Sequence, residues 1–234
     1  MIISKDRKRG QKMTRTKLAD RQLPIYSTGE EIFNSVSHIV GAVFGVYALV
    51  ACVVKAEQSH SGRSMASALV YGICTLLLFT MSGVYHGSVV VPIKKVLQII
   101  DHCGVFLMFA GTYTPIMLCG LYRTRPIESN IMLSIVYLLT AVGITLKCID
   151  IKSSHTVTLI MQIITGWMLL LVAVPLYRAI GFRDFALIFG GGLLYTVGAV
   201  LYQLGAKKKY FHSVFHIFVL AGCFVQFLAV KDLI

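Results

Sequence analysis

The chain has 234 residues, 56% of them hydrophobic, and a mean hydropathy of +0.77, which excludes an ordinary soluble domain. In a soluble protein its net charge of +12 would raise the question of nucleic acid, but here the lysines and arginines gather in short segments between apolar blocks. They read as orientation signals of a membrane protein, and no nucleic-acid partner is expected.

Residues 1–26 form a basic arm with eight lysines and arginines, expected to be disordered and to rest on anionic lipid headgroups. The arm lacks the short apolar core and small-residue cleavage site of a signal peptide. Residues 27–234 form the second segment, a transmembrane domain. Ser27-Thr28-Gly29-Glu30-Glu31 supplies a cap and first-turn acids, so a helix starts there and runs to about residue 54. Six further apolar blocks follow at about 65–86, 96–119, 131–147, 156–177, 185–204 and 211–230. Each is near the ~20 residues that cross a hydrocarbon core. The expected fold is all-α and polytopic, with seven transmembrane helices. Gly190, Gly191, Gly192 and Gly198 favour close helix packing, and Pro115 and Pro175 are expected to kink or end their helices. The six cysteines lie in or beside apolar blocks without a Cys-x-x-Cys pair, which favours free, buried thiols.

Counting basic residues on alternate sides of seven spans places 15 with the N-terminus and 7 opposite. Positive charge stays inside, so the N-terminus is expected in the cytoplasm and the C-terminus outside. With that orientation the polar residues of four helices reach one level near the cytoplasmic face. Glu31, Asn34 and His38 come from the first helix, Ser82 and His86 from the end of the second, Asp101 from the third, and His212 and His216 from the start of the last.

His212 and His216 stand four apart, one turn above the other on one helix face. With His86 they make the three-histidine set with an open fourth position that catalytic zinc uses. Zinc lowers the pKa of a bound water from 15.7 to roughly 7 and polarises a carbonyl. Asp101 falls well inside a spanning block, where an ionisable residue is a functional candidate by default. It is placed to orient or deprotonate that water, with Ser82 as a hydrogen-bonding partner of ligand or oxyanion. Glu31, Asn34 and His38 are assigned to support the ligands. Because Ser213 occupies the glutamate position of the soluble His-Glu-x-x-His motif, the base has to come from another helix.

Glu31-x-x-Asn34-x-x-x-His38, Ser82-x-x-x-His86, Asp101 and His212-x-x-x-His216, in order over seven spans, resemble the hemolysin III branch of the progestin and adiponectin receptor superfamily. Thr112-Tyr113-Thr114-Pro115 is similar to a further feature of that family. The resemblance implies one zinc ion per chain near the cytoplasmic face, held by His86, His212 and His216. Alkaline ceramidases and adiponectin receptors are among the wider relatives, which implies hydrolysis of a lipid amide or ester such as ceramide, with membrane lipid as substrate or ligand. Compact loops look bacterial, which implies the plasma membrane and a link to membrane lipid homeostasis. Two other classes stand beside this one: a pore-forming cytolysin, as the family name suggests, and a sensor or receptor whose zinc is structural.

Overall fold

The structure, a computed structural model, describes residues 16–205 and 208–234. Among these residues it is all-helical, with no strand. The α-helical segments are α1 (Thr28–Gln58), α2 (Gly62–Gly87), α3 (Val91–Pro115), α4 (Pro126–Ile149), α5 (His155–Trp167), α6 (Ala173–Gly205) and α7 (Phe211–Leu233), joined by short turns except between α5 and α6, where helix is continuous.

The ends follow from local chemistry. Ser27 and Glu30 close a capping box at the start of α1, the Ser27 N–H donating to Glu30 Oε2 at 2.9 Å. Ser61 caps α2 by accepting from the Ser64 N–H. Pro92 and Pro126 lie in the first turns of α3 and α4, where a missing N–H leaves nothing unsatisfied. Pro115 ends α3, and the chain continues through one wider turn at Ile116–Leu121.

Between α5 and α6 the backbone tightens at Met168–Val172, so that His155–Leu204 is one apolar helical run of 50 residues. At 1.5 Å per residue, a straight run of this length would measure about 75 Å, far beyond a hydrocarbon core of about 30 Å. The run is not straight. Gly181 has φ +80° and ψ 171°, a conformation that a side chain resists, and this residue interrupts the helix. The expected stop at Pro175 is therefore displaced: Pro175 lies in the first turn of α6, and Gly181 makes the break.

Six helical runs among the described residues are long and apolar enough to cross a bilayer, the 50-residue run counting as one. Large apolar side chains point outward along them, with Val43 67%, Leu138 64% and Leu171 77% exposed. An apolar exterior of that extent is suited to lipid rather than water. The protein is an integral, multi-pass membrane protein.

Inside, α1 lies along α2, α2 along α3 and α3 along α4, while α7 packs on α6 and returns to α1. Glycine permits the closest approaches. A Cβ on Gly72 would stand 2.6 Å from the Leu49 Cα, and one on Gly45 would stand 2.8 Å from the Leu76 Cα. Gly191 meets α7 in the same way, opposite Gln226 and Gly222, whereas Gly190 and Gly192 face open space. Tyr71, Phe79 and Phe227 fill the core between α1, α2 and α7. At the α7 C-terminal end, Asp232 pairs with Arg183 and, at 3.7 Å, with Lys55, tying α1, α6 and α7 together. All six cysteines are free; four are buried, Cys119 is partly buried and Cys148 is exposed.

Only the last part of the basic arm falls among the described residues. Residues 1–15, and Lys207 of the α6–α7 turn, lie outside the described residues. From Thr16 onward the arm contacts the bundle. The Thr16 N–H donates to Asp150 Oδ2 at 2.9 Å, Arg21 Nη2 to the Ile149 carbonyl at 3.1 Å, and Lys95 Nζ to the Ala19 carbonyl. The Thr16 N–H, aided by those of Ser153 and Lys152, holds the Asp150 carboxyl down at about 2. One backbone donor, one guanidinium and one backbone acceptor of the arm thus tie it to the end of α4 and the start of α3.

Candidate metal centre

The last turn of α2 and the first turns of α7 carry three imidazoles that meet. One ring nitrogen from each of His86, His212 and His216 lies within 4.8 Å of the others. His212 Nε2 stands 3.3 Å from His86 Nε2 and 3.0 Å from His216 Nε2. His86 and His216 are 2% and 1% exposed. Helix periodicity places His212 and His216 on one face, and the return of α7 to α1 and α2 brings that face to His86.

Glu31 fixes the orientation of His86. Its Oε2 is 2.7 Å from His86 Nδ1, so Nδ1–H is the donor and the Nε2 lone pair is presented to the other two rings. The other carboxylate oxygen, Oε1, takes a hydrogen bond from Lys94 Nζ at 2.7 Å. Lys94 also donates to the Ser88 carbonyl at 3.0 Å and the His86 carbonyl at 3.4 Å, bridging α1, the end of α2 and the start of α3.

The donor set suits a metal ion. A tetrahedral ion with metal–nitrogen bonds of 2.0–2.1 Å holds its ligand nitrogens about 3.3 Å apart, close to the spacing of these rings. Converging lone pairs at such a distance repel one another unless a proton or a cation lies between them.

Behind the triad, the His38 ring stacks on His216 with centroids 3.8 Å apart and meets Phe79 edge-on at 5.1 Å. Asn34 is wholly buried one turn before it. Neither ring nitrogen of His38 and neither amide atom of Asn34 has a hydrogen-bond partner among the described residues. In front, the Tyr26 ring stacks on His212 at 4.9 Å and approaches His86 at 5.8 Å, so the arm covers the mouth. Burial, with Tyr202 and the carboxylates of Glu31, Asp101 and Glu30 nearby, raises the Tyr26 hydroxyl above its usual range.

Of the residues selected from sequence, the structure thus gathers Glu31, His38, His86, His212 and His216 into direct contact, with Asn34 adjoining them. Ser82 is buried one turn before His86, and Asp101 lies on α3 on the Lys94 side, three and seven residues after Gln98 and Lys94. Among the described residues neither hydrogen-bonds to the three imidazoles. The carboxylate of Asp101 lies 3.6 Å from Nδ1 of the adjacent His102, a ring nitrogen that also stands 2.8 Å from the Gln98 carbonyl.

Sequence reasoning overlooked three contributors. In the sequence Lys94 reads as one of the basic residues between apolar blocks, and Tyr26 as the last residue of the arm. Glu30, beyond its capping role, accepts the Tyr210 N–H at 2.7 Å and so draws the start of α7 to α1. The positions of Tyr26 directly before the Ser27 cap and of Lys94 one turn after Val90 were available as signals, but neither forms a recognisable pattern.

Comparison with known proteins gives a consistent picture. The family described as haemolysin-III related matches residues 26–227. A hemolysin-3 homolog of Bacillus subtilis (strain 168) is 32% identical over 206 residues, covering 88% of this chain and 95% of that protein. Hemolysin-3 of Bacillus cereus is 31% identical over 201 residues, covering 86% and 90%. The human monocyte to macrophage differentiation factor is 25% identical over 171 residues, covering 70% and 68%.

Proposed function

Because the chain belongs to the haemolysin-III related family, we propose that it is an integral-membrane, zinc-dependent hydrolase acting on an amide or ester bond of a membrane lipid, ceramide-like in its chemistry. The observation that carries this reading is the convergence of three ring nitrogens with His86 oriented by a carboxylate. His86, His212 and His216 would hold the ion. Zinc there supplies Lewis acidity toward a carbonyl and an acidified water.

The chain's own residues do the rest. Glu31 keeps His86 in the tautomer that presents Nε2, and Lys94 keeps Glu31 charged and in place. Asp101 accepts the proton of the attacking water and returns it to the leaving amine or alkoxide, and Ser82 donates a hydrogen bond to the carbonyl oxygen. Tyr26 limits entry of bulk water from the aqueous side.

In the membrane, the Gly181 break divides the 50-residue run into two passes. This gives seven spans with the N-terminus in the cytoplasm, the C-terminus outside and the site near the cytoplasmic face of a bacterial plasma membrane. Residues 1–26 are the arm, and 27–234 the transmembrane domain.

The test is metal content of detergent-purified protein by mass spectrometry, followed by turnover of a ceramide-type amide. We expect one zinc per chain, lost in His212→Ala, and turnover that disappears in Asp101→Asn while zinc is retained. Folded wild type without metal would refute the reading. Retained turnover in Asp101→Asn would remove Asp101 from it.

A further inference from the structure

The seam between α1 and α7 is closed on its inner side by the His38–His216 stack, but open on its outer side. There, Gly29, Ile32, Phe33, Val36, Ser37 and Val40 of α1 face Ile217 and Leu220 of α7 across a groove of about 510 Å³. Its walls are apolar. The Ser37 hydroxyl is turned away onto the Asn34 carbonyl at 3.0 Å, leaving no polar group for water to seek. From Gly29 to Val40 the groove runs about 16 Å at 1.5 Å per residue, close to half of a hydrocarbon core about 30 Å thick. That length is one leaflet's worth of acyl chain.

One end of the groove is polar and basic. Tyr210 joins it to the α6–α7 turn: its N–H binds Glu30 Oε1, and its hydroxyl lies 3.0 Å from where a Cβ on Gly29 would stand. Lys208 and Lys209 precede Tyr210, and both are exposed. Glu30 brings one negative charge to this end, engaged by Ser27 and Tyr210 and close enough to feel Lys209, while Lys208 Nζ lies over the Phe211 ring at 5.4 Å, so the two lysines leave one positive charge in excess. A chain-length apolar groove whose end adjoins a turn carrying two exposed lysines has the complementarity of an anionic phospholipid.

We propose that the α1–α7 groove seats one acyl chain of an anionic phospholipid, with its headgroup phosphate at Lys208 and Lys209. The lipid is a resident ligand and stands apart from the hydrolase reading, since it lies outside the seam that the histidines close. Its chain covers the outer edge of α1 beside His38, where these two helices would otherwise meet the bilayer unevenly. Lipid composition thereby bears on how firmly α7, and with it His212 and His216, is held to α1.

The experiment uses full-length protein in non-ionic detergent, delipidated and titrated with phosphatidylglycerol or phosphatidylcholine, with bound lipids counted by native mass spectrometry. One phosphatidylglycerol per chain should bind saturably and more tightly than phosphatidylcholine. Replacing both lysines, Lys208→Ala with Lys209→Ala, should weaken phosphatidylglycerol roughly thirtyfold, to the level of phosphatidylcholine. Val36→Trp and Ile217→Trp, which obstruct the groove from opposite walls, should each remove the saturable site. Both positions face outward, 54% and 43% exposed, so the fold tolerates them, and unchanged helicity by circular dichroism verifies it. Leu138→Trp, on the lipid-facing side of α4, is the control and should bind as wild type does. Equal affinity for the two lipids, or saturable binding that survives either tryptophan, overturns the proposal. A His212→Ala protein that has lost its metal but still binds phosphatidylglycerol separates this site from the metal centre.

Discussion

Replacing Glu31 by Gln tests the construction of the centre at its most exposed joint. The substitution preserves shape but exchanges a carboxylate for an amide at the atom 2.7 Å from His86 Nδ1, and it leaves Lys94 Nζ without its anionic partner. A hydrogen bond to a charged group contributes about 1.5–3 kcal/mol, and the Glu31 side chain is 20% exposed, which favours the lower half of that range. Loss of an outer carboxylate of this kind typically costs 10–100-fold in metal affinity, roughly 1.4–2.7 kcal/mol, in keeping with that figure. Competition of purified protein with a chelator of known affinity reads the change. Glu31→Gln should fall in that window, and Lys94→Met should lose less, since it removes a partner of Glu31 rather than of His86. The double variant should lose less than the two single losses combined, because both act through one carboxylate. Zinc affinity within twofold of wild type in Glu31→Gln would refute the assignment of Glu31 as the residue that orients His86.

Three further outcomes follow from the packing and the arm. Gly181→Ala places a side chain at φ +80° and should lower stability by about 1–3 kcal/mol, read as a drop in Tm by thermal denaturation in detergent; an unchanged Tm would show that the break is not held by that residue. Gly72→Val drives branched atoms into the Leu49 backbone and should abolish folded expression, whereas Gly190→Val, which faces open space, should express normally; equal yields of the two would contradict the glycine-mediated α1–α2 contact. Asp150→Asn should release the arm, raising the rate of tryptic cleavage after Lys17 and Arg21. The Asp150 pKa is depressed to about 2, so its contribution is complete above the unfolded value near 4 and disappears as pH falls through about 2. With an acid-active protease, cleavage should therefore stay flat from pH 7 to 4 and rise only below, and a rise centred above pH 5 would assign the docking to another group.

The helical character of the apolar blocks is legible because apolar runs of spanning length leave little choice of structure, although the fifth and sixth blocks fall within one 50-residue helical run. The convergence of Glu31, His86, His212 and His216 was legible because alternate passes bring the end of one helix level with the start of the next. Two features were not legible. Gly181 lies between the fifth and sixth blocks, where a turn is expected; what the sequence does not convey is that helix continues on both sides and that one residue at φ +80° makes the break. The pairing of Lys94 with Glu31 depends on where a flexible side chain settles across three elements, which no spacing rule conveys. Asp101 stands out because charge is costly in a membrane segment, a criterion that says nothing of where its carboxylate lies relative to the imidazoles or of its 3.6 Å separation from His102.

The return of α7 to α1 and α2 also dictates when the centre can exist. His86 and His212 are 126 residues apart, and the ring nitrogens that meet are supplied by early helices and by the last one. A ribosome delivers Glu31, His86 and Lys94 long before His212 and His216, so during synthesis the early helices carry an oriented imidazole with nothing to share. Closing so long a loop is entropically unfavourable until glycine contacts such as Gly191 with Gly222 have seated α7. The three-histidine cluster therefore serves as a mark of completion: a chain halted before residue 210 lacks two of its three imidazoles, and only a full-length, correctly returned chain presents them together.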